Sequence, residues 1–397
     1  MAKLGEAFPL IRNGASIKQT DGAGGYPITR IETIANREVD RSKFGYADIN
    51  DLGKYEDYLL HDGDILMSHI NSEKHLGKVA LYRSSGDEHI LHGMNLLMLR
   101  ADTQIVLPSY AAYFFNSDAF LRQIPSITKK SVNQASFTVT ALKELNIPLP
   151  SLEDQVGIVK ILDMVSNLIS LRKQQLAKLD ELVKARFVEM FGDPEQNPKG
   201  WPVVNITEII GGKVSNGFFA KREAYRDDGN VQVLGVANIV NRMYSNIESL
   251  PRTNATQADE EKYAVKYGDM LFCRSSLVAE GIGKASIVPK GAPHNVLFEC
   301  HVIRLPLDLQ KCVPEFVQVL STTDFFRRQI IAQSKTATMT TIGQDGILKS
   351  MIILPPIEQQ REFLRFVEQT DKSKLAVQQS LDKLETLKEA LMQEYFG

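Results

Sequence analysis

The residues able to do chemistry in this chain are scattered, and none falls into the spacing of a familiar catalytic centre. There is no Gly-rich phosphate loop ending in Lys-Ser/Thr and no His-Glu-x-x-His zinc helix. A Gly-x-Ser-x-Gly elbow is absent, as are the His-x-Glu and Pro-Cys-x-x-Cys pairs of a zinc deaminase. An amino-methyltransferase would need a Gly-rich cofactor loop and an Asn/Asp-Pro-Pro-aromatic motif, and neither occurs. Gly22, Gly24 and Gly25 lack a Gly-x-Gly-x-x-Gly frame and read as a flexible loop. Asp259-Glu260-Glu261-Lys262 has the composition of a nuclease acid–Lys cluster, but solvated surface charge is the better reading. His294 and His301 have no metal-helix spacing. What is concentrated is positive charge. Residues 118–143 carry Arg122, Lys129, Lys130 and Lys143 against one acid. Residues 321–349 carry Arg327, Arg328, Lys335 and Lys349 against Asp324 and Asp345. Such stretches suit contact with phosphates; a solvated helix face plus loop is the competing reading.

The two basic stretches occupy equivalent places because the chain is duplicated. Residues 149–192 align without a gap onto 354–397, at an offset of 205. Leu149-Pro150-Ser151-Leu152-Glu153-Asp154-Gln155 lies over Leu354-Pro355-Pro356-Ile357-Glu358-Gln359-Gln360, and Phe191-Gly192 over Phe396-Gly397. Upstream, Gly63-Asp64 matches Gly268-Asp269, Gly77-Lys78 matches Gly283-Lys284, and residues 118–124 match 324–330. The period is far longer than that of a solenoid, so this is a duplicated domain.

Each half reads as a mixed α and β domain followed by a helix. Residues 26–34 and 231–239 alternate as strands, and 64–68 and 269–273 read as short buried strands after a Gly-Asp turn. Residues 110–124 and 316–330 read as helices whose aromatics belong to the core. Beyond each Leu-Pro element, Ile158, Leu162, Val165, Ile169, Leu176, Leu179, Val183 and Phe187 step by threes and fours. Phe363, Val367, Val377, Leu381, Leu384 and Leu391 do the same. A narrow apolar seam on a helix of this length predicts coiled-coil pairing. Two such seams in one chain predict an intramolecular antiparallel pair. The expected class is therefore α+β: two similar mixed α/β domains joined by two long helices in an antiparallel coiled coil. The boundaries are 1–150 for the first domain, 151–192 for the central helix, 193–202 for a Pro/Gly/Asn-rich linker, 203–357 for the second domain and 358–397 for the last helix. Trp201, the single tryptophan, is expected to anchor the start of the second domain.

Composition narrows the class further. At 397 residues the chain suits two domains. Cys273, Cys300 and Cys312 form no Cys-x-x-Cys pair and are odd in number. This argues against a disulfide framework or zinc site and fits a reducing cytoplasm. The first ten residues lack the apolar core of a secretion signal, and no run approaches membrane-spanning length. The net charge of −2 is not that of a basic nucleic-acid binder. Any such contact must come from local patches or from partner subunits.

The ordered set just described resembles the specificity subunits of Type I restriction-modification systems: two globular halves, each closed by Leu-Pro, a Glu-x-Gln helix start, a heptad helix and a terminal Phe-Gly. The junction Phe191-Gly192-Asp193-Pro194 with Asn197-Pro198-Lys199-Gly200-Trp201-Pro202 is similar to that family's junction between repeats. The first repeat has Ser151 where the second has Pro356. The resemblance covers the whole chain. It implies a non-catalytic subunit with two target recognition domains that binds double-stranded DNA and pairs with two copies of a methyltransferase subunit. No cofactor is expected in this chain; S-adenosylmethionine and ATP belong to the partners, with ATP-driven translocating subunits joining for restriction. Methylation of adenine N6, a target in two parts around an unread spacer, and a cytoplasmic role in phage defence follow from the same resemblance.

Within the two domains, polar loops are candidates to reach base edges. In the first they are Ser68, His69, Asn71, Lys129, Lys130, Asn133 and Gln134; in the second, Arg274, Ser275, Ser276, Lys335, Thr336 and Thr338. Arg and Lys suit guanine, while Asn and Gln suit adenine. The alternative is a coiled-coil scaffold that joins partner proteins without reading DNA.

Overall fold

The computed structural model describes residues 1–20, 22, 24–132 and 134–397. The chain divides into two compact units, Met1–Lys173 with Gln379–Gly397, and Gln174–Gln378.

The first unit is built on a four-stranded antiparallel sheet in the order Leu10–Asn13, Leu96–Arg100, Ile65–Ser68, Val79–Leu81. Ile65, Met67, Leu97 and Leu99 face one apolar core, and Leu66, Ala80, Leu96 and Met98 face another. Burial on both faces explains why these strands are continuously apolar rather than alternating. The second unit repeats the sheet with Ser215–Asn216, Val302–Pro306, Asp269–Cys273 and Ala285–Ile287. The duplicated Gly-Asp proves to be a turn with a buried acid. Asp64 accepts from Arg100 Nε at 2.8 Å and Nη2 at 2.7 Å, and Asp269 lies 4.0 Å from Arg304. The duplicated Gly-Lys has a steric origin. Gly77 and Gly283 sit at φ +73° and +61°, and a Cβ there would come within 2.9 Å of Ile124 or 2.4 Å of Ile330.

Several expected elements are shorter than their sequence pattern. The strand expected over 26–34 ends at Ile28, and Ile31–Ile34 is a 3₁₀ turn. Val231–Leu234 likewise gives way to a 3₁₀ turn at Val236–Asn238. The cause is the same in both. A polar side chain three residues on captures a backbone N–H: Arg30 N donates to Thr33 Oγ1 at 2.9 Å, and Gly235 N to Asn238 Oδ1 at 3.1 Å. The helix expected over 110–124 is broken into Pro108–Phe115, Asp118–Leu121 and Ile124–Ile127, with Ser117 capping the second. Its counterpart is Pro314–Thr322 and Asp324–Ala332. Tyr110, Phe114, Phe115, Phe120, Phe316 and Phe326 are all core residues.

The central helix spans Leu152–Phe191 and the C-terminal helix Ile357–Phe396, 40 residues each, about 60 Å at ~1.5 Å per residue. Within the first unit Lys173 pairs with Glu385 at 2.9 Å, and Leu162 shares a core with Phe396. Within the second, Arg186 lies 3.5 Å from Glu362 and Lys374 2.6 Å from Asp180. Rising numbers on one helix meet falling numbers on the other, so the pairing inside each unit is antiparallel. The helices do not simply pack on their own repeat. Phe191 ends the first repeat but lies in the second unit's core with Phe187, Phe316 and Phe363. Phe396 ends the second repeat but packs on Tyr110 and Phe114 of the first unit.

The repeated Gln explains the Glu-x-Gln motif. Gln155 is fully buried, accepts from Leu107 N at 2.9 Å and donates to Ile105 O and Pro150 O. Gln360 accepts from Val313 N at 2.9 Å and donates to Pro355 O at 2.7 Å. Each glutamine thus ties the start of a long helix to the globular part beside it. The linker is an ordered turn: Gly192 takes φ +78°, Lys199 donates to Glu189 O and Met190 O, and Trp201 Nε1 donates to Phe191 O at 2.9 Å.

Candidate nucleic-acid interface

Most of the polar positions singled out from the sequence converge on one small sheet in each unit. In the first, Ile70–Asn71 pairs antiparallel with Ala135–Ser136, which pairs with Lys129–Lys130. The hairpin between residues 130 and 135 is closed by Ser131 N and Oγ, both donating to Gln134 O at 2.8 Å. Val132 within it is 99% exposed. Lys129, Lys130 and Gln134 are exposed beside it, and Asn71 is half-buried. In the second unit, Ser275–Ser276 pairs with Thr340–Thr341, which pairs with Lys335–Thr336. Lys335, Thr336 and Thr338 are exposed, and Arg274, Ser275 and Ser276 are half-buried.

Ser68 and His69 are corrected by burial: they retain 2% and 5% of their exposure. Ser68 ends a central strand, and the His69 ring packs edge-on against Phe137 at 6.2 Å. Burial holds the His69 pKa down to about 4, so the ring is neutral at physiological pH. Neither side chain is presented to solvent. Asn133 lies outside the described residues.

The wider basic stretches are only partly available. Arg327 Nη2 donates to Glu280 O at 3.1 Å, and Arg328 pairs with Glu195. Lys130 meets Glu73 at 2.8 Å on the surface, an exposed pair of small energetic weight. Arg274 is oriented from within the protein, its Nη1 donating to Cys300 O at 3.2 Å. His301 Nδ1 lies 3.1 Å from Ser275 Oγ. The turn at 299–301 therefore supports the strand that carries Arg274 and Ser275.

The same turn also supports residues that the sequence did not flag. Phe218 N donates to Phe298 O at 2.7 Å, which holds the loop carrying Phe219, Lys221 and Arg222 at this edge. Phe219 is 68% exposed, and Leu277 on the neighbouring segment is 84% exposed. An aromatic beside two cations in Phe218-Phe219-Ala220-Lys221-Arg222 is the signal that could have found them.

Other candidates resolve as surface or core. Thr256 caps the helix Gln257–Tyr263 with Asp259, and Glu260, Glu261 and Lys262 extend along it without forming a catalytic cluster. Among the described residues no group of His, Cys, Asp and Glu could hold a metal ion, and the cysteines form no disulfide. No helix among them is long and apolar enough to cross a membrane.

Two units that share a four-stranded and a three-stranded sheet, each with an exposed polar hairpin bearing a different set of side chains, are the geometry of a duplicated binding surface. The family described as Type I restriction modification DNA specificity domain matches residues 1–181 and again 198–386. The putative type I restriction enzyme MjaX specificity subunit of Methanocaldococcus jannaschii is 38% identical over 242 residues, 57% of this chain and 56% of that protein. The chain thus matches little more than half the length of that relative. The type I restriction enzyme StySPI specificity subunit of Salmonella potsdam is 25% identical over 93% of this chain and 81% of its own. Among solved structures, a Type-I restriction-modification system S subunit from M. genitalium superposes with a TM-score of 0.55 at 12% identity. It covers 100% of this chain and 95% of that one, a likeness of fold alone. With both halves matched and the same central sheet in each, the chain belongs to the Type I restriction-modification DNA specificity family.

Proposed function

We propose that this chain is the non-catalytic DNA-reading subunit of a Type I restriction-modification complex, and that each unit reads one half of a bipartite target. The two globular parts are the target recognition domains. The observation that carries this is the pair of equivalent three-stranded sheets with unlike surfaces. One presents Asn71, Lys129, Lys130 and Gln134, the other Arg274, Ser275, Ser276, Lys335, Thr336 and Thr338. Cations at the base of each hairpin suit backbone phosphates, and amides, hydroxyls and Arg274 suit base edges in the major groove. Equal frames with unequal side chains favour two different half-sites, with DNA between them unread.

The central helix carries apolar residues that neither seam uses. Ile161, Met164, Leu168 and Leu171 follow one another by threes and fours and are 38–58% exposed. That stripe suits docking of a partner subunit; two methyltransferase subunits that bind S-adenosylmethionine and act on adenine N6 are the partners implied by the family resemblance. In the restriction assembly ATP-driven translocating subunits join them, and the complex works in the cytoplasm. The same stripe is what a scaffold without DNA readout would use. Mapping of methylated adenines in DNA from cells expressing this chain with its methyltransferase partner separates the two. A bipartite methylated sequence that disappears without this chain supports the reading, and methylation that is unchanged without it refutes it.

A further inference from the structure

In the second unit a cavity of about 370 Å³ is lined by residues of the central helix, the C-terminal helix and the globular part. Five cations line it, Lys184, Arg242, Lys284, Arg327 and Lys374, against one carboxylate, Asp180. Only part of this charge is compensated. Lys374 lies 2.6 Å from Asp180 and 3.6 Å from Asp371. Lys284 Nζ donates to the neutral Asn241 Oδ1 at 2.7 Å. Arg327 gives Nη2 to a backbone carbonyl, while its Nη1 is buried without a hydrogen-bond partner. Burial without a carboxylate lowers its pKa. A half-buried guanidinium left in this state bears an uncompensated desolvation cost, which a bound anion would offset.

The fold alone does not require this charge. The first unit holds an equivalent cleft of about 650 Å³, where Asn36-Arg37 takes the place of Asn241-Arg242 at the offset of 205. There Arg37, Lys173 and Lys388 are balanced by Glu38, Asp118, Glu385 and Glu389. Equivalent positions therefore accommodate near-neutrality in one unit and a strong positive excess in the other.

We propose that the second-unit cavity binds a small phosphate-bearing anion, from pyrophosphate to a mononucleotide in size. Lys284 holds the phosphate, Lys184 and Arg242, both exposed, close on it from the rim, and Arg327 adds its charge from within the wall. A guanidinium fork matches phosphate oxygens in pairs. The volume is at the small end of ligand sites, which suits one or two phosphates with a compact organic body. Val183, Met243, Ala285 and Val319 supply the apolar wall for that body.

The test is calorimetric titration of the full chain with pyrophosphate and with AMP at constant ionic strength. The readout is repeated on the double variant Lys184→Ala, Arg242→Ala, whose rim positions leave the core intact, and on Arg37→Ala in the equivalent cleft. The expected result is saturable binding of at least one probe, weakened roughly tenfold or more in the double variant and unchanged in Arg37→Ala. Absence of binding by either probe up to about 10 mM overturns the proposal. So does equal binding by wild type and the double variant, or equal weakening by Arg37→Ala. If the probes are silent and the double variant instead loses duplex-DNA affinity, the cations serve a nucleic-acid backbone and the proposal fails as well.

Discussion

Replacing Gln155 by Leu preserves most of the volume of a fully buried side chain but removes all three of its hydrogen bonds. Leu107 N–H then has no acceptor, a loss of ~1–3 kcal/mol for a desolvated donor, and the carbonyls of Ile105 and Pro150 each lose a bond worth ~1 kcal/mol. The sum is about 3–5 kcal/mol, or at least roughly a hundredfold in an opening equilibrium. The loss should be local, because every partner of Gln155 lies in the first unit. Hydrogen exchange followed by mass spectrometry reads the two units separately. In Gln155→Leu, amides of Leu96–Arg100 in the first sheet should exchange at least about 100-fold faster, while those of Asp269–Cys273 change by less than about twofold. Gln360→Leu, which removes the bonds to Val313 N and Pro355 O, should produce the mirror image. If either substitution speeds both sheets equally, the long helices couple the units too tightly for this reasoning. If neither sheet responds, the glutamines are not the anchors described above.

Four other outcomes are expected. Lys129→Ala with Lys130→Ala should weaken binding to all DNA sequences and lower the salt slope by about 2, measured by fluorescence anisotropy across a salt series; a wild-type slope would leave these lysines as a solvated face. Replacing residues 1–150 by another reader of the family should change only one half of the methylated target, and a change in both halves would end the modular reading. A four-residue insertion after Gln174 adds about 6 Å while nearly keeping helical phase. It should lengthen the unread spacer by about one or two base pairs at ~3.4 Å each, as scored by methylation of a spacer library; an active variant with an unchanged spacer shows that something else sets the distance. Acid should selectively weaken the first unit, because burial holds His69 to about 4 and His92 to about 3. The unfolded chain binds these protons near pH 6.5, so stability falls as pH drops below that value, by about 1 kcal/mol per histidine at pH 5.5. In the second unit burial raises Asp269 and Glu315, which acts with the opposite sign. Hydrogen exchange at pH 7.5 and 5.5, corrected for intrinsic rates, checks this, and an equal loss in both units would contradict it.

The sequence by itself determined what depends on local pattern. The duplication, the two long helices, their Leu-Pro starts and Phe-Gly ends are written in spacing, because a helix of 40 residues repeats its apolar period many times over. The lack of a catalytic motif and the placement of basic stretches are equally local. Short elements were less legible: Thr33 and Asn238 divert the chain after three or four strand residues by capturing a single N–H, which an alternating pattern cannot reveal. Tertiary structure alone decided which core each helix end enters, because a seam specifies an apolar face and not the surface that covers it. Phe191 and Phe396 each lie in the unit opposite to the repeat they terminate. The same holds for the interface. Asn71 and Lys129 are 58 positions apart and become neighbours in one sheet only through the strand at Ala135–Ser136. Ser68 and His69, polar and adjacent to that sheet in sequence, are withdrawn because the strand they end runs through the centre of the core. Polarity is a property of a residue, whereas exposure is set by long-range packing around it.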